Sequence, residues 1–442
     1  MKSPKTPAGG NTRQRDDMQP ALPLDLFDTV FERENLNRAW QRVRANKGKS
    51  GVDGVTIEEF PNWLNHHWKK TLKALQSGVY QPSPVKRVEI NKPDGGKRLL
   101  GIPTIVDRLI QQAISQKLTP IIDPTFSSNS YGFRPKCSAH QAVKQVQQEI
   151  KQKRRIAIDV DLSKCFDRIN HDLVMSKLRV HVKDKRVLRL IGQYLRAGTM
   201  KDNHFHPNNE GTPQGGPLSP LLANVLLDSL DKELERRGHR FARYADDFII
   251  LVKSERAGKR VLASISRYLQ QRLKLVVNTD KSQVVKTSQS KFLGFTFGRG
   301  HILIHQKTIH RFKQQVRMLT NRNWGVSMKY QLNRLRYYLR GWINYFGIAS
   351  AFQQCANLDQ WIRRRIRMAY WRQWKKPRTK IKNLLKLGVS KGVAISCGLS
   401  SKGPWRNSKT PGIQQGLSNA FLKSEGLFSL RDGWIQLHYP NG

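Results

Sequence analysis

Two adjacent acids, Asp246 and Asp247, lie between the apolar runs 240–244 and 248–252. In a hairpin, both carboxylates would project from one edge of a sheet. Paired Asp residues also occur in turns for turn chemistry alone, so the pair needs company. A further acid, Asp161, closes the apolar run Ile156–Leu162 and is followed by Ser163–Lys164–Cys165–Phe166–Asp167. Carboxylates brought from separate strands can hold two Mg²⁺ ions for an in-line displacement at phosphorus, and hard oxygen ligands favour Mg²⁺ over zinc. Asp159 shares a strand face with Asp161, and periodicity alone does not choose between them. A third feature is the loop Gly211–Thr212–Pro213–Gln214–Gly215–Gly216–Pro217–Leu218–Ser219–Pro220. Its glycines permit close backbone approach to a ligand, and it opens a helix whose N-terminus favours an anion. A plain capping loop would have the same composition.

These residues need elements to hold them. A helix is expected from Leu24 to about Ala45, then a basic, glycine-bearing loop over 46–54. Val85–Ile90, the turn 92–96 and Leu99–Pro103 read as a β-hairpin with a Gly-rich tip. Helices are expected from Thr104 onward and from His140 to Lys151. Ile156–Leu162, Arg240–Tyr244 and Phe248–Val252 read as strands. A helix from Pro220 to Arg237 has Ser219 as its expected N-cap and Pro220 at its first position. Another spans Ser254–Leu273, before a strand at Leu275–Val277 and a strand pair around Phe292–Phe295. Mixed strands and helices over 85–300 indicate an α+β or α/β domain. Beyond it, Gln306–Thr320, Lys329–Tyr345 and Leu358–Lys376 read as helices.

Charge points to the partner. The chain has 442 residues, with 79 Lys and Arg against 32 acids and a net charge of +47. A body this basic repels itself unless a polyanion neutralises it, and nucleic acid does so with counterion release. Residues 301–442 hold 26 Lys and Arg against only Asp359, Glu425 and Asp432, together with seven of the ten tryptophans. Cations interleaved with aromatics suit backbone neutralisation plus base stacking. Trp342 and Trp361, at helical spacing, are expected in helix core, and Arg363, Arg364 and Arg365 on phosphate. Cys137, Cys165, Cys355 and Cys397 form no C-x-x-C pair, which argues against zinc and a disulfide framework. Neither a signal peptide nor a membrane span is expected. Residues 1–22 are expected to be disordered, and the protein cytoplasmic.

The order and spacing of Asp161 with Phe166, Thr212–Pro220 and Tyr244–Ala245–Asp246–Asp247 resemble reverse transcriptase motifs. More narrowly, the chain resembles bacterial group II intron reverse transcriptase/maturases. The matching segments include Gly51–Val52–Asp53–Gly54, Arg98–Leu99–Leu100–Gly101–Ile102–Pro103–Thr104 and Ser130–Tyr131–Gly132–Phe133–Arg134–Pro135. Others are Phe292–Leu293–Gly294–Phe295, Leu339–Arg340–Gly341–Trp342–Ile343–Asn344–Tyr345–Phe346 and Trp371–Arg372–Gln373–Trp374–Lys375. The resemblance runs from about residue 25 to 435.

It implies an α+β right-hand polymerase with fingers, palm and a helical thumb. The expected parts are an N-terminal extension and the start of the fingers over 23–84, and fingers and palm over 85–300. A thumb, or maturase domain X, follows over 301–385, with a small basic DNA-binding region over 386–442. The implied catalytic residues are Asp161, Asp246 and Asp247, with Leu162 joining them in the metal set. The implied cofactor is two Mg²⁺ ions, with Mn²⁺ as a substitute. Phe166 is similar to the bulky gate that excludes a ribose 2′-hydroxyl. Gln214 and Gly215 would line the incoming deoxynucleotide, and Lys92 and Arg98 would grip its triphosphate. Lys281 is a candidate to protonate pyrophosphate, and a solvated surface lysine explains it equally well. Arg134, Arg363, Arg364, Arg365, Arg372, Lys375 and Lys376 are expected on RNA or DNA. Implied partners are intron RNA, an RNA template with DNA primer, target DNA and deoxynucleoside triphosphates, with no membrane. The chain would be a monomer or homodimer, within a ribonucleoprotein that joins the nucleoid during DNA targeting.

There are departures from the family pattern. Lys136–Cys137 replaces an expected Gly–Arg, Asp280 stands where Glu is usual, and 407–414 strays from the pattern. No Cys/His-rich endonuclease module is seen, which resembles the endonuclease-lacking, compact-intron class. Two other readings are an RNA-binding maturase with a decayed polymerase and a host-adopted enzyme of DNA repair. The intact acids argue against the first. Ala245 and the domain X match favour the intron form over the second.

Overall fold

The computed structural model describes residues 26–91, 96–202, 204–208, 210–212 and 215–440, with Arg98 as backbone only. The segment 1–22, Lys92 and Gln214 lie outside the described residues. The chain divides into two compact units. One comprises the residues up to 137 with 161–238 and 263–279, and the other 138–160, 239–262 and 280 onward.

In the first unit, the single N-terminal helix expected from periodicity is two, Leu26–Phe31 and Arg33–Ala45, broken at Glu32 with ψ 139°. Asn35 explains why the break is tolerated. Its buried amide donates to the Val30 carbonyl at 2.7 Å and to that of Ala113 at 3.1 Å, satisfying a carbonyl that the break leaves without a helical partner. The hairpin forms as expected, with Val85–Asn91 antiparallel to Lys97–Ile102 in the register Lys86 to Ile102. Two short strands, Thr199–Lys201 and His204–His206, extend it. Thr104 caps the helix Ile105–Ile122 by accepting from the Asp107 amide, a standard N-cap bond. The helices Phe60–Gln76, His171–His181 and Lys185–Arg196 were not anticipated. Ser219 is not an N-cap: the helix is Ser219–Arg236, Leu218 holds the cap position, and the Ser219 hydroxyl accepts from Thr212 at 2.8 Å.

The second unit contains an antiparallel sheet in the order Arg240–Tyr244, Asp247–Val252, Ile156–Val160, Gln283–Lys286. The helix Ala139–Lys151 opens with a capping box of Ser138 and Gln141, and it buries Ala142, Val143, Val146 and Ile150. The edge strand Gln283–Lys286 was missed, since its two valines are too short a run to register. Leu275–Val277 makes no strand of this sheet, and in the first unit Val277 forms only a bridge to Leu162. The strand pair expected around 292–295 lies later in the chain, at Phe295–Gly298 and His301–Ile304. Left-handed backbone at Leu293 (φ 52°) and Gly294 (φ 88°) makes 292–295 a turn instead. The helices Gln306–Leu319, Met328–Phe346 and Phe352–Gln373 follow, then six short ones ending at Leu430–His438. Trp342 is buried, as expected of helix core, whereas Trp361 is half-buried with Arg317 and Arg365 over its ring. Among the described residues no helix is long and apolar enough to cross a membrane.

Candidate active site and nucleic-acid interface

Tyr244 pairs with Asp247, so only Ala245 and Asp246 form the loop between these strands. Ala245 takes φ +60°. Glycine usually supplies that conformation in two-residue hairpins, and a Cβ there costs about 1–2 kcal/mol. The neighbouring Arg243 is completely buried, and its guanidinium donates to the Ala245 carbonyl at 2.9 Å. Asp246 is half-buried and Asp247 exposed.

On the adjoining strand, Val160 pairs with Phe248. The strand therefore ends level with the first residue after Asp247, and Asp161 is the next residue in sequence. Asp161 is half-buried, and its carbonyl accepts from the Asn278 amide at 2.8 Å, while Leu162 is buried. Asp159 is engaged within its own sheet. Its carboxylate accepts from Ser290 at 2.8 Å and Gln283 at 3.3 Å, fastening the edge strand. Burial raises its pKa against those hydrogen bonds.

Asp247 also borders a cleft of about 440 Å³, with Lys291, Gly294, Arg311 and Trp342 in its lining. Burial first, and then Arg311, lower the Lys291 pKa, while Asp247 opposes them. The donors at the turn are hard carboxylate oxygens reached by solvent, which fits a Mg²⁺ ion that keeps part of its water. Among the described residues no three His, Cys, Asp or Glu side chains are already gathered as a cage.

In the first unit, Phe166 sits in the 3₁₀ turn Cys165–Arg168, edge-on to Phe133 with ring centres 6.4 Å apart. The loop at 211–212 grips that turn. The Thr212 amide donates to the Phe166 carbonyl and the Gly211 amide to that of Ile169, both at 2.7 Å. Gly215, at φ +132°, lies so close to the Gly101 carbonyl oxygen that a Cβ would overlap it. Thus Phe166, the glycine loop and the hairpin strand Lys97–Ile102 are brought together.

Sequence reasoning missed what supports this group. Asp107 is fully buried and accepts from the Tyr80 hydroxyl at 2.7 Å, Thr104 at 2.6 Å, the Ser83 amide at 3.2 Å and Tyr194 at 3.1 Å. Burial raises its pKa, and those bonds oppose the rise. Arg108 donates to the Pro103 carbonyl at 3.1 Å and to that of Lys49, anchoring the loop 46–54. The one signal was Thr104 three residues before Asp107, at the start of an apolar helix.

The basic residues divide into two kinds. Arg134 was expected on nucleic acid, but its guanidinium is used internally. It binds Asp123 at 2.8 Å and the carbonyls of Ser127, Ser130 and Asp123 at 2.6–2.9 Å. Arg364 stacks 3.7 Å over Trp405, and Arg365 donates to Thr320 at 2.5 Å. Arg363 borders a polar cleft of about 750 Å³. Arg372, Lys375, Lys376 and Lys281 are exposed.

Residues 90–297 match the reverse transcriptase (RNA-dependent DNA polymerase) family, and residues 309–388 match the group II intron, maturase-specific domain. The chain is 31% identical over 361 residues to protein YkfC of Escherichia coli, covering 72% of this chain and 93% of that one. It is 29% identical over 415 residues to the group II intron-encoded protein LtrA of Lactococcus lactis, covering 72% and 69%. A putative COX1/OXI3 intron 2 protein of Saccharomyces cerevisiae is 31% identical over 320 residues, covering 58% and 37%. The chain belongs to the group II intron reverse transcriptase/maturase family, as an RNA-directed DNA polymerase of the α+β right-hand class that also serves intron splicing.

Proposed function

We propose that Asp161, Asp246 and Asp247, together with Leu162, hold two Mg²⁺ ions, or Mn²⁺ in their place, for DNA synthesis from an RNA template. The observation that carries this reading is the register of Val160 with Phe248, which sets the end of one strand level with the turn of another. When bound, such ions activate a primer 3′-hydroxyl and stabilise the departing pyrophosphate. The chain's own residues present the carboxylates at a strained turn and position the deoxynucleotide. Phe166 excludes a 2′-hydroxyl, Gly215 and Gln214 line the nucleotide, and Lys92 and Arg98 close on its triphosphate. Lys281 is exposed enough to meet pyrophosphate.

The maturase-specific match and the exposed Arg372, Lys375 and Lys376 support binding of intron RNA and target DNA along this segment, with Arg363 contributing at the cleft. Retrotransposition of the encoding intron follows from the two activities together. The test is primer extension on an RNA template with Mg²⁺. Asp246→Ala abolishes synthesis, whereas Asp159→Ala keeps it wherever the protein folds. Undiminished synthesis by Asp246→Ala sinks the site assignment.

A further inference from the structure

The pairing row Arg243, Phe248, Val160 is the last the sheet completes before the acidic turn. Two of its members are apolar. The third is a completely buried arginine, at a position where an apolar side chain would avoid the cost of taking a charge out of water. Its guanidinium reaches forward to the carbonyl of Ala245. Ala245 is also the residue in left-handed conformation at the head of the turn. That conformation disfavours a Cβ-bearing residue by roughly five- to thirty-fold in population. A charge-assisted hydrogen bond to the strained peptide acts against that bias.

We infer that Arg243 is a positioning residue for polymerisation: it holds the Ala245 peptide in its left-handed form and so fixes where Asp246 and Asp247 point. The inference rests on the assignment of those carboxylates to metal. Arg243 touches no substrate. It acts through its hydrogen bond to the Ala245 carbonyl, and the turn's strain makes that carbonyl matter. The remaining loop residue is Asp246 itself, so rotation of the Ala245 peptide re-aims a carboxylate directly.

The test is steady-state primer extension by the full chain across a Mg²⁺ titration, with RNA affinity and melting temperature measured in parallel. The variants are Arg243→Gln, Arg243→Lys, Ala245→Gly and the double variant Arg243→Gln/Ala245→Gly. Arg243→Gln is expected to lower kcat about tenfold and to raise the Mg²⁺ needed for half-maximal rate several-fold, with RNA affinity unchanged. Arg243→Lys, which keeps a cationic donor, falls between it and the parent. Glycine at 245 carries no Cβ penalty, so the double variant recovers most of the lost rate. The inference is overturned if Arg243→Gln keeps the parental Mg²⁺ dependence. It is also overturned if glycine restores nothing, since a side chain serving only the core would behave that way. Asp246→Ala in the same series separates the two readings. Full activity there defeats the carboxylate assignment, whereas its loss alongside an unchanged Arg243→Gln defeats only the role of Arg243.

Discussion

Gly211→Ala tests how tightly the glycine loop sets the nucleotide gate. Gly211 has φ +86°, and a Cβ there would lie 2.6 Å from the Asp167 carbonyl oxygen, 2.7 Å from its carbon and 2.9 Å from its Cα. All three are backbone atoms, so no side chain can swing aside. Reaching ordinary van der Waals distance requires a shift of roughly 0.6–1 Å. The left-handed backbone adds about 1–2 kcal/mol for alanine, and overpacking adds about 1–3 kcal/mol. The displaced segment carries Phe166, whose carbonyl accepts from the Thr212 amide at 2.7 Å. A misplacement near 1 Å can cost about a hundredfold in rate. Gly211→Ala should therefore lower kcat/KM for deoxynucleotides by about ten- to a hundredfold and weaken discrimination against ribonucleotides, with RNA affinity retained. The assay is single-nucleotide extension with each deoxynucleotide and its ribo counterpart. Parental kcat/KM and discrimination in a folded variant would refute the coupling between loop and gate.

Phe166→Ala should raise ribonucleotide use relative to deoxynucleotide use, and an unchanged ratio rejects the gate role. Arg134→Ala should destabilise the protein by about 3 kcal/mol, because it leaves Asp123 without its partner. Arg372→Ala should leave melting unchanged and reduce the salt slope of RNA binding by about one; the reverse pattern in a salt titration and thermal melt contradicts this division. Asp159 has a raised pKa in the folded state, so the folded protein holds its proton more firmly than the unfolded chain. Its contribution to stability is thus present at low pH and declines as pH rises from about 4 through the folded value. Asp159→Asn should flatten that part of a stability–pH curve, and a curve of unchanged slope refutes it.

The turn with Asp246 and Asp247 was legible in sequence because both flanking strands are apolar and short, and a two-residue loop leaves little choice of register. Asp159 and Asp161 were not separable by periodicity. What distinguishes them is a long-range matter, the arrival of Ser290 and Gln283 beside Asp159. The internal partners of Arg134 were hidden for a related reason. In a chain of net charge +47 an arginine reads as a phosphate ligand, while its carbonyl partners at Ser127 and Ser130 leave no mark in composition. The break at Glu32 was hidden because the apolar positions on either side share a helical phase, and the compensating amide of Asn35 looks like any surface residue. Asp107 shows the same limit. A buried charge is recognised by its partners, and those come from elements far apart in sequence.

The most direct test of the carboxylate assignment replaces Mg²⁺ with Fe²⁺ in a complex of the protein, an RNA template, a dideoxy-terminated primer and the next deoxynucleotide. Ascorbate and peroxide then cut the chain beside the bound metal, and mass spectrometry maps the cuts. The account predicts cleavage near Asp161 and near Asp246–Asp247, competed by Mg²⁺ and lost in Asp246→Ala. Competed cleavage confined to other segments, with both of these untouched, would contradict it.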